Sequence, residues 1–170
     1  MGMTDRVKVL TLADAEATVA LGHRLGEAFA GRGVVYLLGD LGAGKTTFAR
    51  HLIQALGYVG RVKSPTYTLC EPYPIQIKHD NAPTTLNITA HHFDLYRMRD
   101  PLEWQEAGFA EHFDEPGFCL VEWPEKAEGT LPTFDLQIHL IPGDDENERN
   151  ISLQAKSSQG ITIIENMHIQ

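Results

Sequence analysis

The segment Gly39-Asp40-Leu41-Gly42-Ala43-Gly44-Lys45-Thr46 matches the pattern GxxxxGK[ST] in full, and it lies between two stretches of different periodicity. Before it, Val34-Val35-Tyr36-Leu37-Leu38 is a continuous apolar run, β-branched at its start and bounded by glycines, which predicts a strand buried on both faces. After it, Phe48, Leu52, Ile53 and Leu56 recur at helical spacing from Lys45 until Gly57 interrupts them. Strand, glycine loop and helix in that order form the context in which the pattern builds a phosphate-binding loop, not merely a glycine-rich turn. Such a loop turns its backbone amides inward around phosphate oxygens, and the following helix presents its positive N-terminal end to the same charge. Asp40, Leu41, Gly42, Ala43, Gly44, Lys45, Thr46 and Thr47 are therefore the candidate nucleotide-binding residues. Lys45 is expected to reach the β and γ phosphates, and the Thr46 hydroxyl to be one ligand of a phosphate-bridging magnesium ion.

A loop of this kind needs an α/β sheet to hold it, and the rest of the chain is patterned accordingly. Arg6 to Leu10 alternates as a half-buried strand, and Thr11-Leu12-Ala13-Asp14 resembles a capping box opening a helix. Leu12, Ala15, Val19, Leu25 and Phe29 carry its stripe to about Ala30. Tyr67 to Ile77 and Thr85 to Tyr96 read as strands joined by a hairpin tip at Lys78 to Pro83. Pro101 to Ala107 reads as a short helix with proline first, and Phe118-Cys119-Leu120-Val121 as a second buried strand. Asp135 to Ile141 and Asn150 to Ala155 form a late antiparallel hairpin around an acidic turn. The fold class expected is α/β: a P-loop-type mixed sheet, mainly parallel at its core, with antiparallel hairpin strands and flanking helices. Residues 1–157 make one domain, and 158–170 an extension whose Ile161 to Gln170 stretch fits an added strand.

A phosphate loop does chemistry only beside an acid. Glu122 closes the Phe118 to Val121 run, where a carboxylate at a strand end stands next to the loop and holds magnesium directly or through water. Asp94, in His92-Phe93-Asp94-Leu95-Tyr96-Arg97, is the second acid; alternation puts His92, Asp94 and Tyr96 on one polar face, which on its own reads equally well as a solvated edge strand. His91 and His92 with Asp94 lack a third spaced ligand set, which argues against zinc. Trp123 is placed either over the nucleotide or on the core edge. Ser64 and Thr66, in Ser64-Pro65-Thr66-Tyr67-Thr68, lie where nucleotide switches carry a hydroxyl-bearing loop; an X-Pro turn into a strand is the simpler alternative.

With 14 basic against 23 acidic residues and a net charge of -9, stand-alone nucleic-acid binding is not expected, because phosphate contacts need a basic face. No apolar run approaches the ~18 residues of a membrane span. The two cysteines, Cys70 and Cys119, have no CxxC spacing and suit reduced thiols in a cytoplasmic protein.

The glycine loop with Thr47, the Ser64 to Thr68 segment, His92 to Arg97 and Val121-Glu122-Trp123-Pro124-Glu125 together resemble, in order and spacing, the bacterial TsaE (YjeE) family over roughly Leu12 to Ala155. Pro74 to Ala90 is longer than that family's pattern, and the tail from Ser158 is extra. The resemblance implies a small ATPase, using ATP/ADP and Mg²⁺, required for threonylcarbamoyladenosine at position 37 of tRNAs reading codons that begin with A. It implies action on the proteins TsaD and TsaB, with tRNA met only through that complex and no membrane. It further implies Lys45, Glu122 and Asp94 as catalytic residues, Thr46 and Glu122 as magnesium ligands, Ser64 and Thr66 as switch-like, and Trp123 by the nucleotide. Which of Asp94 and Glu122 orients the attacking water stays open. A small-metabolite kinase would need a basic lid, whereas beyond Trp123 only Lys126, Arg149 and Lys156 are basic. A nucleotide-gated binding module with incidental turnover is the other alternative.

Overall fold

In the computed structural model, residues 6–166 are described, apart from 29–31, 41, 66, 79–84, 116 and 147. Among them the strands are β1 (Arg6–Leu12), β2 (Arg32–Leu38), β3 (Cys70–Lys78), β4 (Thr85–Asp94), β5 (Gly117–Glu122), β6 (Leu136–Pro142) and β7 (Arg149–Ala155). The helices are α1 (Ala15–Ala28), α2 (Lys45–Ala55), α3 (Glu103–Glu106) and α4 (Ser158–Asn166). The strands form one sheet in the order β1-β7-β6-β2-β5-β4-β3. Its centre, β6-β2-β5-β4, is parallel, and the outer pairings β3 on β4, β7 on β6 and β1 on β7 are antiparallel. The mixed α/β architecture expected from the sequence is the one observed.

Both faces of the central strands are covered, as continuous apolar runs require. On one face Leu37, Leu120, Leu136, Ile138 and Ile151 pack against Leu21 and Leu25 of α1, Phe48, Leu52 and Ile53 of α2, and Ile163 and Ile164 of α4. On the other, Phe93, Cys119 and Val121 pack beneath Leu95, Met98, Trp104 and Ala127. Every residue of β5 is buried, so the strand delivers Glu122 to the sheet's C-terminal edge on a rigid support. α2 starts at Lys45 directly after the glycine loop and ends with Leu56 and Gly57, whose φ of 110 only glycine adopts readily.

Four expectations need correction. Thr11 does not cap α1: β1 runs on to Leu12 because its pairing with β7 continues through Thr11↔Asn150 and Leu12↔Arg149, and Thr11 Oγ1 donates to Asn150 Oδ1 at 3.0 Å. Asp14 is the cap, its Oδ1 accepting the Ala17 amide at 2.8 Å. α3 starts at Glu103, not at Pro101. There the Leu102 amide donates to Asp100 Oδ1 at 2.8 Å, and Glu103 Oε1 reaches back to the Arg99 and Asp100 amides at 2.8 and 3.0 Å. The tail is helix α4 over Ser158–Asn166, because Ser157 Oγ accepts the Gly160 amide at 3.0 Å and the isoleucines then fall on the core side. Finally, β4 is covered by β3 and is no edge, so His92 and Asp94 are buried, at 0% and 6% exposure, instead of solvated. The hairpin tip expected around Lys78 to Pro83 lies outside the described residues from position 79 on.

Asp135 ties these parts together: its Oδ2 accepts the Val34 amide at 2.8 Å and its Oδ1 the Ser157 hydroxyl at 2.6 Å, linking the starts of β2, β6 and α4. Gly160 permits that approach, since a Cβ there would stand 1.9 Å from the Asp135 carbonyl oxygen. No helix among the described residues is long and apolar enough to cross a membrane.

Candidate functional site

β2 ends at Leu38, and the chain turns tightly before α2: the Ala43 amide donates to the Asp40 carbonyl at 3.0 Å, and Gly42 and Gly44 take φ of 82 and 95. A Cβ on Gly39 would stand 2.8 Å from the Leu140 carbonyl oxygen, so glycine alone lets the loop leave β2 against β6. A Cβ on Gly42 would meet nothing within 4 Å, so the space beside it is open and its φ of 82 is what calls for glycine. Arg149, at the start of β7, braces the loop from behind: its Nε donates to the Ala43 carbonyl at 3.0 Å, and its Nη1 to the Glu146 and Glu148 carbonyls at 2.8 Å each.

The loop opens into a cleft of about 490 Å³ lined by Gly42, Ala43, Gly44, Lys45, Thr46, Thr47, Asp94, Tyr96, Arg97, Glu122 and Trp123. It lies beyond the carboxyl ends of parallel strands, where open α/β sheets place their ligands. Of the remaining sequence candidates, Asp40 is exposed at the turn, Ser64 is exposed and not among the lining residues, and Leu41 and Thr66 lie outside the described residues. The Ser64 loop meets the cleft wall through Tyr67, whose ring lies 4.4 Å from the Arg97 guanidinium.

Lys45 is buried. Its ammonium donates to the Gly39 carbonyl and sits 3.5 Å from the centroid of the Trp123 ring. Burial pushes its pKa below the usual lysine value, while Glu122, Glu125, Asp94 and Asp40 pull it back up. A buried cation near four carboxylates is ready to exchange its carbonyl and ring contacts for phosphate oxygens. Trp123 adopts a φ of 58, a left-handed conformation costly for a bulky residue, which turns its ring under Lys45 and against Tyr96 at 4.9 Å.

The acids converge from neighbouring strands. Asp94 and Glu122 are register partners in the parallel β4–β5 pair. Thr46 Oγ1 stands 3.1 and 3.2 Å from the two Glu122 oxygens, and Glu122 is 2% exposed. Hydroxyl and carboxylate oxygens beside an open glycine loop are the hard donor set that suits magnesium. Asp94 Oδ1 accepts the Tyr96 amide at 3.1 Å, which turns the chain out of β4.

Two residues were not singled out as functional by sequence. His92 holds Glu122: its Nε2–H donates to Glu122 Oε2 at 2.6 Å, while its Nδ1 is buried without a hydrogen-bond partner. Alternation did place His92 on the face of Asp94, and that signal was available once the strand was known to be internal. Arg149 had no local signal, since it reaches the loop only through the β6–β7 pairing.

Comparison with known proteins places this geometry. The model of the family described as "Threonylcarbamoyl adenosine biosynthesis protein TsaE" matches residues 12–151. A tRNA threonylcarbamoyladenosine biosynthesis protein TsaE of Haemophilus influenzae is 45% identical over 131 residues, 77% of this chain and 75% of that one. The Bacillus subtilis protein of the same name is 42% identical over 127 residues, 74% and 73% of the two chains. The crystal structure of YdiB from Bacillus subtilis aligns with a TM-score of 0.72 and 29% identity, covering 98% of this chain and 97% of that one. By its matched span and its relatives alike, this chain belongs to the TsaE family.

Proposed function

We propose that the protein binds ATP in the cleft and hydrolyses it to ADP and phosphate. Through this activity it supports threonylcarbamoyladenosine formation at position 37 of tRNAs reading codons that begin with A. It acts on the TsaD–TsaB complex and does not itself transfer the group. The observation that carries the reading is the convergence of Lys45, Thr46, Glu122 and Asp94 at the end of the glycine loop. The names of its relatives supply the pathway.

In this reading the loop amides and Lys45 hold the β and γ phosphates, and Lys45 leaves the Gly39 carbonyl to do so. Thr46 and Glu122 would hold magnesium, which would supply neutralisation of charge on the phosphate oxygens. Asp94, beside Glu122 at the rim, accepts a hydrogen bond from the attacking water and places it in line, while Glu122 is engaged with Thr46 and His92. Positioning and charge stabilisation do most of the work, and among the described residues lining the cleft the cation besides Lys45 is Arg97, which Tyr67 engages. Hydrolysis by the chain alone is therefore slow, and the partner complex completes the site.

Phosphate release from ATP, measured with the chain alone and with TsaD and TsaB added, tests this. Acceleration on the order of 10³, the scale of a supplied arginine, is expected. Equal rates with and without the complex would refute partner-dependent completion. Phosphate appearing on a small acceptor instead of water would make the protein a kinase.

A further inference from the structure

A titratable cluster lies outside the cleft. His91 precedes Asp94 by three residues on β4 and, by strand alternation, faces away from His92, toward the turn Ala110–Phe113. There its ring stacks on that of His112, with centroids 3.9 Å apart and planes at 16°. Glu115, just before β5, approaches both: its Oε2 is 3.7 Å from His91 Nε2 and its Oε1 is 3.5 Å from His112 Nδ1. These gaps exceed good hydrogen bonds. Both are close to the roughly 3.3 Å edges of a tetrahedron built on bonds of about 2.0–2.1 Å, and the partly exposed His112 ring has to turn out of the stack for the two imidazoles to point at one ion. One ligand atom from each residue lies within 4.8 Å of the others.

Two further observations point to a missing partner. His112 Nδ1 is buried and has no hydrogen bond, a lone pair or proton that folding normally satisfies. His91 is 4% exposed at its side chain, so its imidazole meets this cluster and not solvent. The turn is also fixed, because Cys119 Sγ on β5 donates to the His112 carbonyl at 3.4 Å.

We propose that His91, His112 and Glu115 bind a divalent transition-metal ion of the zinc type, leaving its fourth position to water. Two imidazoles and one carboxylate select such an ion over magnesium, which prefers oxygen ligands in an octahedron. The partly exposed His112 and Glu115 give the ion its way in. Once bound, it joins β4 to the segment entering β5, the two strands that end in Asp94 and Glu122. The site is separate from the cleft, and the proposal stands whether or not ATP is hydrolysed.

The test is zinc binding to the tag-free, chelator-stripped full chain in excess Mg²⁺, by calorimetry, with Co²⁺ absorption as a second readout. One equivalent of Zn²⁺ is expected to bind with a dissociation constant of micromolar or below and to raise the unfolding midpoint. Both His112→Ala and Glu115→Gln, which alter partly exposed or exposed side chains, should weaken binding by more than about 100-fold, beyond the roughly 10–100-fold that losing a merely orienting neighbour costs. Glu122→Gln should leave it unchanged. The absence of a stoichiometric site, native affinity in both His112→Ala and Glu115→Gln, or loss of binding in Glu122→Gln alone would overturn the proposal.

Discussion

Replacing His92 by alanine removes an imidazole contact on the buried Glu122. The bond is 2.6 Å long, and its partners are 0% and 2% exposed, so water cannot take the place of the imidazole without opening the core. A hydrogen bond to a charged group contributes about 1.5–3 kcal/mol. Stranding one partner of a buried pair costs about 3–5 kcal/mol. We therefore expect His92→Ala to lose about 3–4 kcal/mol, a fall of roughly 6–16 °C in the unfolding midpoint for a domain of this size. A double-mutant cycle with Glu122→Gln isolates the pair, because the neutral amide no longer needs the imidazole. Urea unfolding followed by circular dichroism should give a coupling of about 1.5–3 kcal/mol. In the same proteins kcat should drop at least about 10-fold while ATP affinity, which rests on Lys45 and the loop, stays near the native value. Additivity within about 0.5 kcal/mol, or a loss of affinity with kcat intact, would refute the claim that His92 acts by holding Glu122.

Other consequences are open to direct measurement. Arg149→Ala deletes a guanidinium bond to the Ala43 carbonyl and should weaken ATP binding about 10-fold, the effect of about 1.4 kcal/mol, without lowering kcat, as read by calorimetry and steady-state kinetics. Gly39→Ala forces a Cβ to 2.8 Å from the Leu140 carbonyl and should cost more than about 2 kcal/mol in urea unfolding, with ATP binding lost first. Burial raises both thiols, Cys70 from 9.0 to about 12 and Cys119 likewise upward, so neither ionises in the folded chain at pH 8. Iodoacetamide should label them only on unfolding, and stability should decline as the pH rises past about 9, where the unfolded thiols release protons that the folded ones keep.

How far the site could be read from the chain depends on how local its signals are. The glycine loop declares itself because the steric demand at Gly39, Gly42 and Gly44 and the cation at Lys45 are contiguous, and the strand and helix around them carry opposite periods. Glu122 was found for the same reason: a polar residue ending a fully apolar strand has few places to go but the sheet edge. His92 was harder. An alternating polar face looks the same whether it meets solvent or a neighbouring carboxylate, and only the pairing of β3 on β4, a nonlocal fact, decides between them. The tail misled because Ile161, Thr162, Ile163 and Ile164 have β propensity, whereas Ser157 as a cap and Gly160 as a point of contact with Asp135 favour a helix. Arg149 and the His91–His112–Glu115 cluster join residues far apart in the chain, and nothing in local spacing announces them.

The measurement closest to the central claim is titration calorimetry of ATP with Mg²⁺ into the native chain and into Lys45→Ala. One saturable site in the native chain, abolished in the variant while its circular dichroism is preserved, is the result expected if Gly39 to Thr46 cradle a polyphosphate. No heat from the native protein, or equal heat from the variant, would contradict it.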